Sequence, residues 1–329
     1  MEKKSGMIVC IILSVAMGSL LLAGNSQAQT YPRGPVQIVI PFVPGGSTDI
    51  LWRGISDFLA KNVNGTLSLV NKPGGGGIVG TSYVINAKPD GYTLVSANSD
   101  PLNIAPLFAP EAPYNPDKDL TYIAKLGVFA FTVIVRAESP FKTLEELVAF
   151  ARANPGKLKA GVAGVGTTPH MIIEMLKKDA KIDLTPVPFG GGGEGLTNLL
   201  GGHIDLIVLS ITPVKALYLA GKVRILALFS PKRRPDFPEI PTVAEKGYRA
   251  SNITTGIGLA GPKGLPSAIV KTWAEAVEKT MKDPKVVKLV DNLEGIVIDY
   301  KRGEEYKKEI LADLDAFKPI VATLSGGKK

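Results

Sequence analysis

The stretch from residue 37 to residue 49 contains residue types that could bind an anion. An apolar predicted strand, 37–43, leads into a proline and two glycines. Ser47 and Thr48 then offer N-cap hydroxyls to a helix that begins near Asp49. A strand, a tight turn and a helix N-terminus leave unpaired backbone N–H groups pointing at one place, and the helix dipole adds to their attraction for negative charge. This stretch therefore predicts a site for a small anionic ligand.

Three more turns rich in glycine or hydroxyl residues follow predicted strands, at 73–81, 164–170 and 190–195. In open α/β sheets, ligands bind beyond the carboxyl ends of the strands. For any one of these turns, glycines that only allow a tight bend are the simpler interpretation. With two turns in each half of the chain, we expect the four to face one another across a cleft. Such a cleft could hold a carboxylate or a phosphate.

The second turn also fits nucleotide-binding patterns in part. Residues 75–80 read GxGxxG, and Asp100 lies 20 residues after Gly80, where a ribose-binding acid stands in dinucleotide sites. Residues 71–73 separate these glycines from the strand, and a lone GxGxxG is a weak signal, so dinucleotide binding is not favoured. Thr81 stands where a P-loop requires lysine, which excludes that motif.

The side chains needed for catalysis are sparse. The only histidines are His170 and His203, and neither H-E-x-x-H nor G-x-S-x-G occurs. Ser47, His170 and Asp205 could be assembled into a triad, but any chain of this size permits such a selection. We expect His170 to donate a hydrogen bond to its loop or to the ligand, and Asp49 to brace its loop through backbone N–H groups. A direct bond from Asp49 to a ligand amine is the alternative. No catalytic residue, metal site or cofactor is predicted.

The first 28 residues have the features of an export signal. Two lysines precede an apolar segment, 7–24, and Ser26-Gln27-Ala28 resembles a cleavage site. The apolar segment is long enough that an uncleaved membrane anchor is the alternative. The single cysteine, Cys10, lies inside this segment, too early for lipid attachment. We predict cleavage after Ala28 and a soluble periplasmic protein without thiols.

The composition limits the classes of partner. The chain has 329 residues and a net charge of +8, which we interpret as a solvated basic surface, with mild steering of anions as the alternative. The basic residues are scattered apart from a cluster at 232–234, and aromatic residues make up 7%, so nucleic-acid binding is not predicted. The length suffices for two domains of ordinary size.

Strand-like runs alternate with helical periods, which predicts an α/β fold with a mostly parallel sheet. The apolar, β-branched stretch Tyr122–Val135 is longer than one ordinary strand, and we interpret it as a strand that leaves one domain and enters another. Ile253–Ala260 is the candidate for a second strand that crosses back to the first domain. The predicted lobes are residues 29–125 with 253–329, and residues 126–252. The main predicted helices are 50–62, 78–87, 144–153 (capped by Thr143), 169–178, 242–247, 266–281 and 304–323.

A set of motifs in order along the chain resembles the substrate-binding proteins of tripartite tricarboxylate transporters, also called the Bug or TctC family. No single motif is decisive, but the ordered set is specific and runs from about Tyr31 to the C-terminal helix. The motifs are YPRGPVQIVIPFVPGGSTDILWR (31–53), NKPGGGG (71–77), KPDGYTL (88–94), NPDKDL (115–120), ANPGKL (153–158), GVGTTPH (164–170), GGHIDL (201–206), GKVRILAL (221–228) and IPTVAEKGY (240–248).

The resemblance implies a two-lobed periplasmic binding protein of type II (a "Venus flytrap") with two crossing strands as hinge. It implies capture of a small carboxylate and delivery to integral-membrane permease subunits, without catalysis or cofactor, by a protein expected to be a monomer. In the family, the first three glycine loops hold the carboxylate. Carried over, these are Gly45, Gly46, Ser47, Asp49, Gly75, Gly76, Thr167, Thr168 and His170, and the predicted site also includes Thr48, Phe189 and Ser210.

Two departures from the family pattern bear on the ligand. Phe189-Gly190-Gly191 stands where the family often has Tyr-Lys-Gly, and Gly256 stands where it usually has Trp. The loss of an indole should open one wall of the pocket. We therefore expect a ligand that is bulkier, or less charged at its distal end, than a small dicarboxylate.

Two other classes of function use the same residues. A sensory protein that presents its closed form to a membrane receptor kinase would have the same fold and site. An exported hydrolase would need an activated nucleophile, which the sequence does not contain in any recognisable motif.

Overall fold

The computed structural model describes residues 31–109, 112–230, 233–234, 237–248, 253–293 and 295–325. Within these ranges the chain forms two mixed sheets flanked by helices, which confirms the predicted α/β class. The predicted signal peptide, including Cys10 and the cleavage site after Ala28, lies outside the described residues. Over the part of the chain that is described, no helix is long and apolar enough to cross a membrane.

The elements alternate along the chain much as the sequence predicts. The strands are β1 (Val36–Ile40), β2 (Leu67–Asn71), β3 (Thr93–Asn98), β4 (Leu120–Phe129), β5 (Phe131–Arg136), β6 (Lys159–Val162), β7 (Thr185–Pro188), β8 (Leu206–Ser210), β9 (Val223–Phe229), β10 (Thr255–Pro262) and β11 (Ile296–Arg302). The helices are α1 (Ser47–Val63), α2 (Ile78–Ile85), α3 (Ala105–Phe108), α4 (Leu144–Ala153), α5 (Thr168–Ala180), α6 (Gly192–Leu200), α7 (Lys215–Leu219), α8 (Ser267–Lys282), α9 (Pro284–Leu293) and α10 (Gly303–Ser325). A 3₁₀ turn (Gly75–Gly77) precedes α2, and a π-helical turn (Asp100–Ile104) precedes α3.

The first sheet has six strands in the order β11-β4-β10-β3-β1-β2. β1 runs parallel to β2 and β3, whereas β10 is antiparallel to both β3 and β4. The β1 sequence VQIVI is almost wholly buried, as is typical of a strand covered on both faces. Val84 of α2 and Tyr306 and Ile310 of α10 pack against the same core as Val39 of β1.

The second sheet has five strands in the order β7-β6-β8-β5-β9. β6 is parallel to β7 and β8, and β5 is antiparallel to β8 and β9. Its core joins Ile134 and Ile207 of the sheet to Leu199 of α6. The prediction of a mostly parallel sheet was therefore wrong, because β10 and β11 add to the first sheet in the antiparallel direction and β5, which enters the second sheet from β4, is antiparallel to both of its neighbours.

The predicted long crossing strand is two strands that belong to different sheets. β4 lies in the first sheet and β5 in the second, and the break falls at Ala130, whose N–H donates to the carbonyl oxygen of Gly295 at 3.1 Å. The predicted lobe boundary after residue 125 falls inside β4. The predicted return strand is β10, which begins at Thr255 and lies in the first sheet.

The predicted boundaries of the helices agree with the structure in some places and not in others. α4 begins where predicted, and the Thr143 hydroxyl accepts a bond from the N–H of Glu146 at 3.2 Å. The predicted helix from Thr242 to Gly247 is only a turn. The helices α6, α7 and α9 and the strand β11 were not predicted, although Asp283 caps α9 by accepting from the N–H of Lys285 at 2.8 Å.

Lys125 is a buried cation of the first sheet, with 5% of its surface exposed. Its Nζ lies 2.6 Å from both Asp299 Oδ2 and Glu309 Oε2, and Lys301 pairs with the same two carboxylates. Burial raises the pKa of Asp299, but the hydrogen bond and charge of Lys125, together with Lys301, lower it by more, so its pKa lies below the ordinary value. The network joins β4 to β11 and α10.

Replacing Lys125 by methionine (Lys125→Met) should lower the free energy of unfolding by about 1–3 kcal/mol at pH 7. A fully buried pair would cost more, but the two carboxylates are about one-third exposed and water screens them. Because the pKa of Asp299 is lowered in the folded state, its contribution is present above the unfolded pKa near 4 and is lost as the pH falls below it. The decrease in the free energy of unfolding between pH 7 and pH 3 should therefore be smaller in Lys125→Met than in the wild type. Urea unfolding at the two pH values measures it.

Lys271→Met is the matched control, because its ammonium is exposed and lies 3.9 Å from Glu275. It should change the stability by less than about 0.5 kcal/mol. Equal stabilities of Lys125→Met and this control would contradict the role given to the network.

Candidate functional site

A cavity of about 60 Å³ lies between the loops of the first sheet and those of the second. By the usual measure it has room for roughly four or five water molecules. The first sheet and its loops contribute Phe42, Gly46, Ser47, Thr48, Asn98, Asp100, Phe129 and Thr255, and the second contributes Phe131, Ala163, Pro169, Gly192, Leu209 and Ser210. Asp100 is the one ionisable side chain of this lining, and no cation belongs to it.

Hydrogen bonds between the two sets of loops close the cavity. The Ser47 and Ser210 hydroxyls are 2.5 Å apart, and the Thr168 hydroxyl donates to Asp100 Oδ1 at 2.5 Å. Each bond joins a residue near a strand end of one sheet to a residue of the other. The structure therefore has the form of a closed cleft.

The four predicted turns meet in two pairs. The first turn faces the fourth, where a Cβ at Gly193 would lie 2.6 Å from the carbonyl oxygen of Pro44. The second faces the third, where Gly76, at φ +64°, would place a Cβ 2.5 Å from the carbonyl oxygen of Val165. Such approaches between backbones are possible only without a side chain, which explains the glycines at both places.

A chain of hydrogen bonds fixes the direction of the Thr48 hydroxyl. Trp52 Nε1, which can only donate, bonds Ser96 Oγ at 2.7 Å, and Ser96 Oγ donates to Asn98 Oδ1 at 2.7 Å. Asn98 Nδ2 then donates to Thr48 Oγ1 at 2.8 Å. The Thr48 oxygen therefore accepts a bond from Asn98, and its hydroxyl proton is donated to no protein acceptor among the described residues. This proton is free to be donated to a group in the cavity.

Two helices begin at the cavity without a side-chain cap. The N-cap of α1 is Gly46, so the prediction that Ser47 or Thr48 caps this helix was wrong, and the N-cap of α6 is Gly191. The first backbone bond within α1 is donated by Ile50, so the N–H groups before it have no helical acceptor. These groups and the helix dipole attract negative charge toward the cavity.

Asp49 lies beside the cavity, in the first turn of α1, and is 3% exposed. Its carboxylate accepts bonds from the N–H of Gly45 at 3.0 Å, from Arg53 Nε at 3.0 Å and from Asn71 Nδ2 at 2.9 Å. Burial raises the pKa of Asp49, but these three bonds lower it by more, so the carboxyl stays ionised. Asp49 braces the first turn, with Arg53 as a partner that the sequence analysis did not identify.

The other predicted site residues lie farther from the cavity. Gly75, Gly76 and Phe189 line a separate groove of about 330 Å³ between the second and third turns. Thr167 is the N-cap of α5, and its hydroxyl donates to the carbonyl oxygen of Gly164 at 2.9 Å.

His170 is buried in α5 and accepts at Nδ1 from the N–H of Gly166 at 3.2 Å. This bond to its loop is accepted by His170, and the expectation that His170 donates a hydrogen bond to its loop or to the ligand stays a prediction for Nε2. The Ser47 hydroxyl bonds Ser210 instead, and Asp205 accepts from the N–H of Lys159 at 2.7 Å. The three residues considered for a triad thus have other partners. Within the described residues, no group of three acidic, histidine or cysteine side chains is placed to hold a metal.

Gly256 does not open a wall of the cavity, so that part of the ligand hypothesis was wrong. A Cβ at this position would lie 2.6 Å from Ser99 Oγ and 3.1 Å from the Tyr306 ring, on the side of β10 opposite to Thr255. The cavity is also small, so its volume gives no support to a bulky ligand.

Asp100 is the ionisable residue of the cavity, and it was not among the predicted site residues. It begins the π-helical turn after β3, is 5% exposed, and accepts from the Thr168 hydroxyl at 2.5 Å and the Thr255 hydroxyl at 3.1 Å. Burial raises its pKa to about 6, although bonds from Thr168 and Thr255 lower it. The available signal was its position just after the carboxyl end of a central strand.

Comparison with known proteins places these features in a family. The family described as "Tripartite tricarboxylate transporter family receptor" (TctC) matches residues 51–325. A Cupriavidus necator protein, named "UPF0065 protein in gbd 5'region", is 36% identical over 272 residues, which cover 82% of this chain and 82% of that protein.

Solved structures of similar proteins share the fold. A structure described as that of a periplasmic transporter has a TM-score of 0.85 and 32% identity, covering 89% of this chain and 97% of its own. MatC from Rhodopseudomonas palustris, with bound malate, has a TM-score of 0.82 and 28% identity, covering 88% and 100%. R. palustris Rpa4515, with adipate, has a TM-score of 0.85 and 26% identity, covering 90% and 98%.

The raised pKa of Asp100 predicts how the stability of the unliganded protein depends on pH. The unfolded chain titrates near pH 4 and the folded site near 6, so the folded state favours the neutral carboxyl. This contribution is fully present below pH 4 and is lost as the pH rises through 6. Relative to Asp100→Asn, the wild type should lose up to about 3 kcal/mol between pH 4 and pH 7, measured by urea unfolding.

Asp57→Asn is the control, since Asp57 is an exposed acid of α1. It should leave the pH profile unchanged. Parallel profiles for wild type and Asp100→Asn would contradict the prediction.

Proposed function

The chain belongs to the TctC family of periplasmic solute-binding proteins, which are not enzymes. We propose that it captures a small carboxylate between two lobes and delivers it to a tripartite tricarboxylate-type permease. The lobes are the halves of the molecule built on the two sheets. The cavity between them is the ligand site. Residues 1–28 act as the export signal, with cleavage after Ala28.

The Thr48 hydroxyl is the observation that carries the proposal. The bonds that begin at Trp52 leave this hydroxyl as a donor at the cavity. The Ser47–Ser210 pair, which has one hydroxyl proton not used between the two, and the uncapped starts of α1 and α6 add neutral donors beside it. Neutral donors and helix dipoles stabilise a carboxylate without requiring a cation. The malate and adipate of the two R. palustris proteins are the precedent for a carboxylate ligand.

Capture requires the two lobes to part and close again. In the closed form the Ser47–Ser210 and Asp100–Thr168 bonds block the way into a cavity that has little free volume. We infer that the lobes turn about Ala130 and the residues just before β10. Ligand contacts to both lobes then favour the closed form, which docks on the permease.

Thr48→Val should weaken carboxylate binding roughly tenfold to a hundredfold, because a hydrogen bond to a charged group is lost. Thr48→Ser keeps the hydroxyl and should bind nearly as the wild type does. Titration calorimetry, after a thermal-shift screen of mono-, di- and tricarboxylates and amino acids, measures both variants. Ser56→Ala, on the same helix but away from the cavity, is the control. If no carboxylate raises the melting temperature of the wild type, the proposed function is wrong.

Gly193→Ala tests closure separately from chemistry. The three atoms nearest to its Cβ would belong to Pro44 and Gly45 of the opposite turn, so the clash arises in the closed form. Overpacking of about 1–3 kcal/mol in that form should weaken binding roughly five- to a hundredfold and increase the radius of gyration in solution scattering. Gly34→Ala, where a Cβ meets nothing within 4 Å, is the control. Unchanged affinity in Gly193→Ala would argue against closure through this contact.

A further inference from the structure

Asp100 places a carboxyl in the wall of a site that is built to attract a carboxylate. The side chain is 5% exposed, and no ion pair involves it among the residues that the structure describes. The lining contains no lysine, arginine or histidine that could offset its charge. A ligand carboxylate held by Thr48 and Ser47 would therefore lie close to an acid whose charge no cation of the lining offsets.

The hydrogen bonds of Asp100 leave room for one more donor. A carboxylate has about four acceptor positions. The Thr168 hydroxyl and the Thr255 hydroxyl take two of them, and the N–H of Thr168 also bonds the carboxyl. These three donors carry no full positive charge, and the N-terminus of α5, where Thr168 lies, offsets the charge of the carboxyl only in part. They hold the carboxyl in place against the cavity and leave part of its charge without a partner.

We propose that the ligand is an amino-carboxylate, whose ammonium group binds Asp100 while its carboxylate binds the Thr48 and Ser47 donors. This inference rests on the proposed function and names the ligand class of the same site. The ammonium supplies the positive charge that the lining lacks, and it replaces repulsion by a charge-assisted hydrogen bond.

The volume of the cavity limits the size of the ligand. Thr48 and Asp100 line the same space of about 60 Å³, which holds roughly four or five waters. A ligand that fills this space has only a few non-hydrogen atoms, so its carboxylate and its ammonium are joined by a short chain. A small α-amino acid meets this limit. A long dicarboxylate would place its second carboxylate against Asp100 or require a wider cleft.

The folded-state titration is consistent with this assignment. A pKa of about 6 leaves most Asp100 carboxyls ionised at pH 7 in the unliganded protein. An ammonium ligand would keep the carboxyl ionised. A ligand with a carboxylate only would instead force it to take up a proton.

The test compares ligands that differ only in one group, by calorimetry at pH 7. Alanine is paired with lactate and aspartate with malate, so that an ammonium is exchanged for a hydroxyl. We expect at least one amino acid to bind tenfold or more tightly than its hydroxy analogue. Asp100→Asn should remove most of this preference, whereas Asp57→Asn should keep it. The titrations are repeated in buffers that differ in ionisation enthalpy. The heat of binding of the amino acid should then show that the protein takes up no proton.

The outcomes separate this inference from the proposed function. Tight binding of lactate or malate, with no advantage for the amine, overturns the amino-carboxylate assignment and leaves carboxylate capture standing. A preference that survives in Asp100→Asn also overturns it. If Asp100→Asn does not fold, the wild-type comparison of the ligand pairs still decides. Failure of every carboxylate, with or without an amine, overturns the proposed function itself.

Discussion

Polar groups that the closed cleft removes from water must find partners, and this constraint shapes the whole site. A buried donor or acceptor without a partner costs free energy comparable to a lost hydrogen bond. In the closed cleft, the Ser47 hydroxyl bonds Ser210 and Asp100 accepts from Thr168, so the two sets of loops satisfy each other. These bonds use only part of what the groups offer, because the Thr48 hydroxyl proton and one acceptor position of Asp100 remain. Selectivity therefore depends on how well a ligand satisfies these remaining positions.

The fold places these groups at strand ends and holds them from behind. β1 and β3 are neighbouring parallel strands, so the turns that follow them meet at one edge of the first sheet. The bonds from Trp52 through Ser96 and Asn98 fix Thr48 from within the core. Behind the same sheet, Lys125 ties β4 to the C-terminal elements. Donors held in this way need little reordering when a ligand binds, which lowers the entropy cost of binding.

The sequence predicts most of the fold, because its local signals agree with the final packing. The buried β1 run and the Thr143 cap define their elements without tertiary information. The direction of the added strands was not predictable, since antiparallel pairing of β10 and β11 depends on contacts between distant parts of the chain. At the site, the glycine turns could be identified from residue type. For Asp100, the sequence shows only that the residue follows a predicted strand. Only the fold shows that no cation lines the cavity around it.

The departure at Gly256 illustrates why a family pattern alone does not describe a pocket. The Tyr306 ring lies against Gly256 and Gly258, and its hydroxyl donates to the carbonyl oxygen of Ala97 at 2.7 Å. Tyr306 thus fills the space on that face of β10, and a larger residue at 256 would displace it instead of reaching the cavity. The opposite face presents Thr255, which bonds Asp100. A strand has two faces, and here one face packs the core while the other positions the acid of the cavity. The residues that distinguish this cavity chemically are therefore Asp100 and the two threonines that hold it.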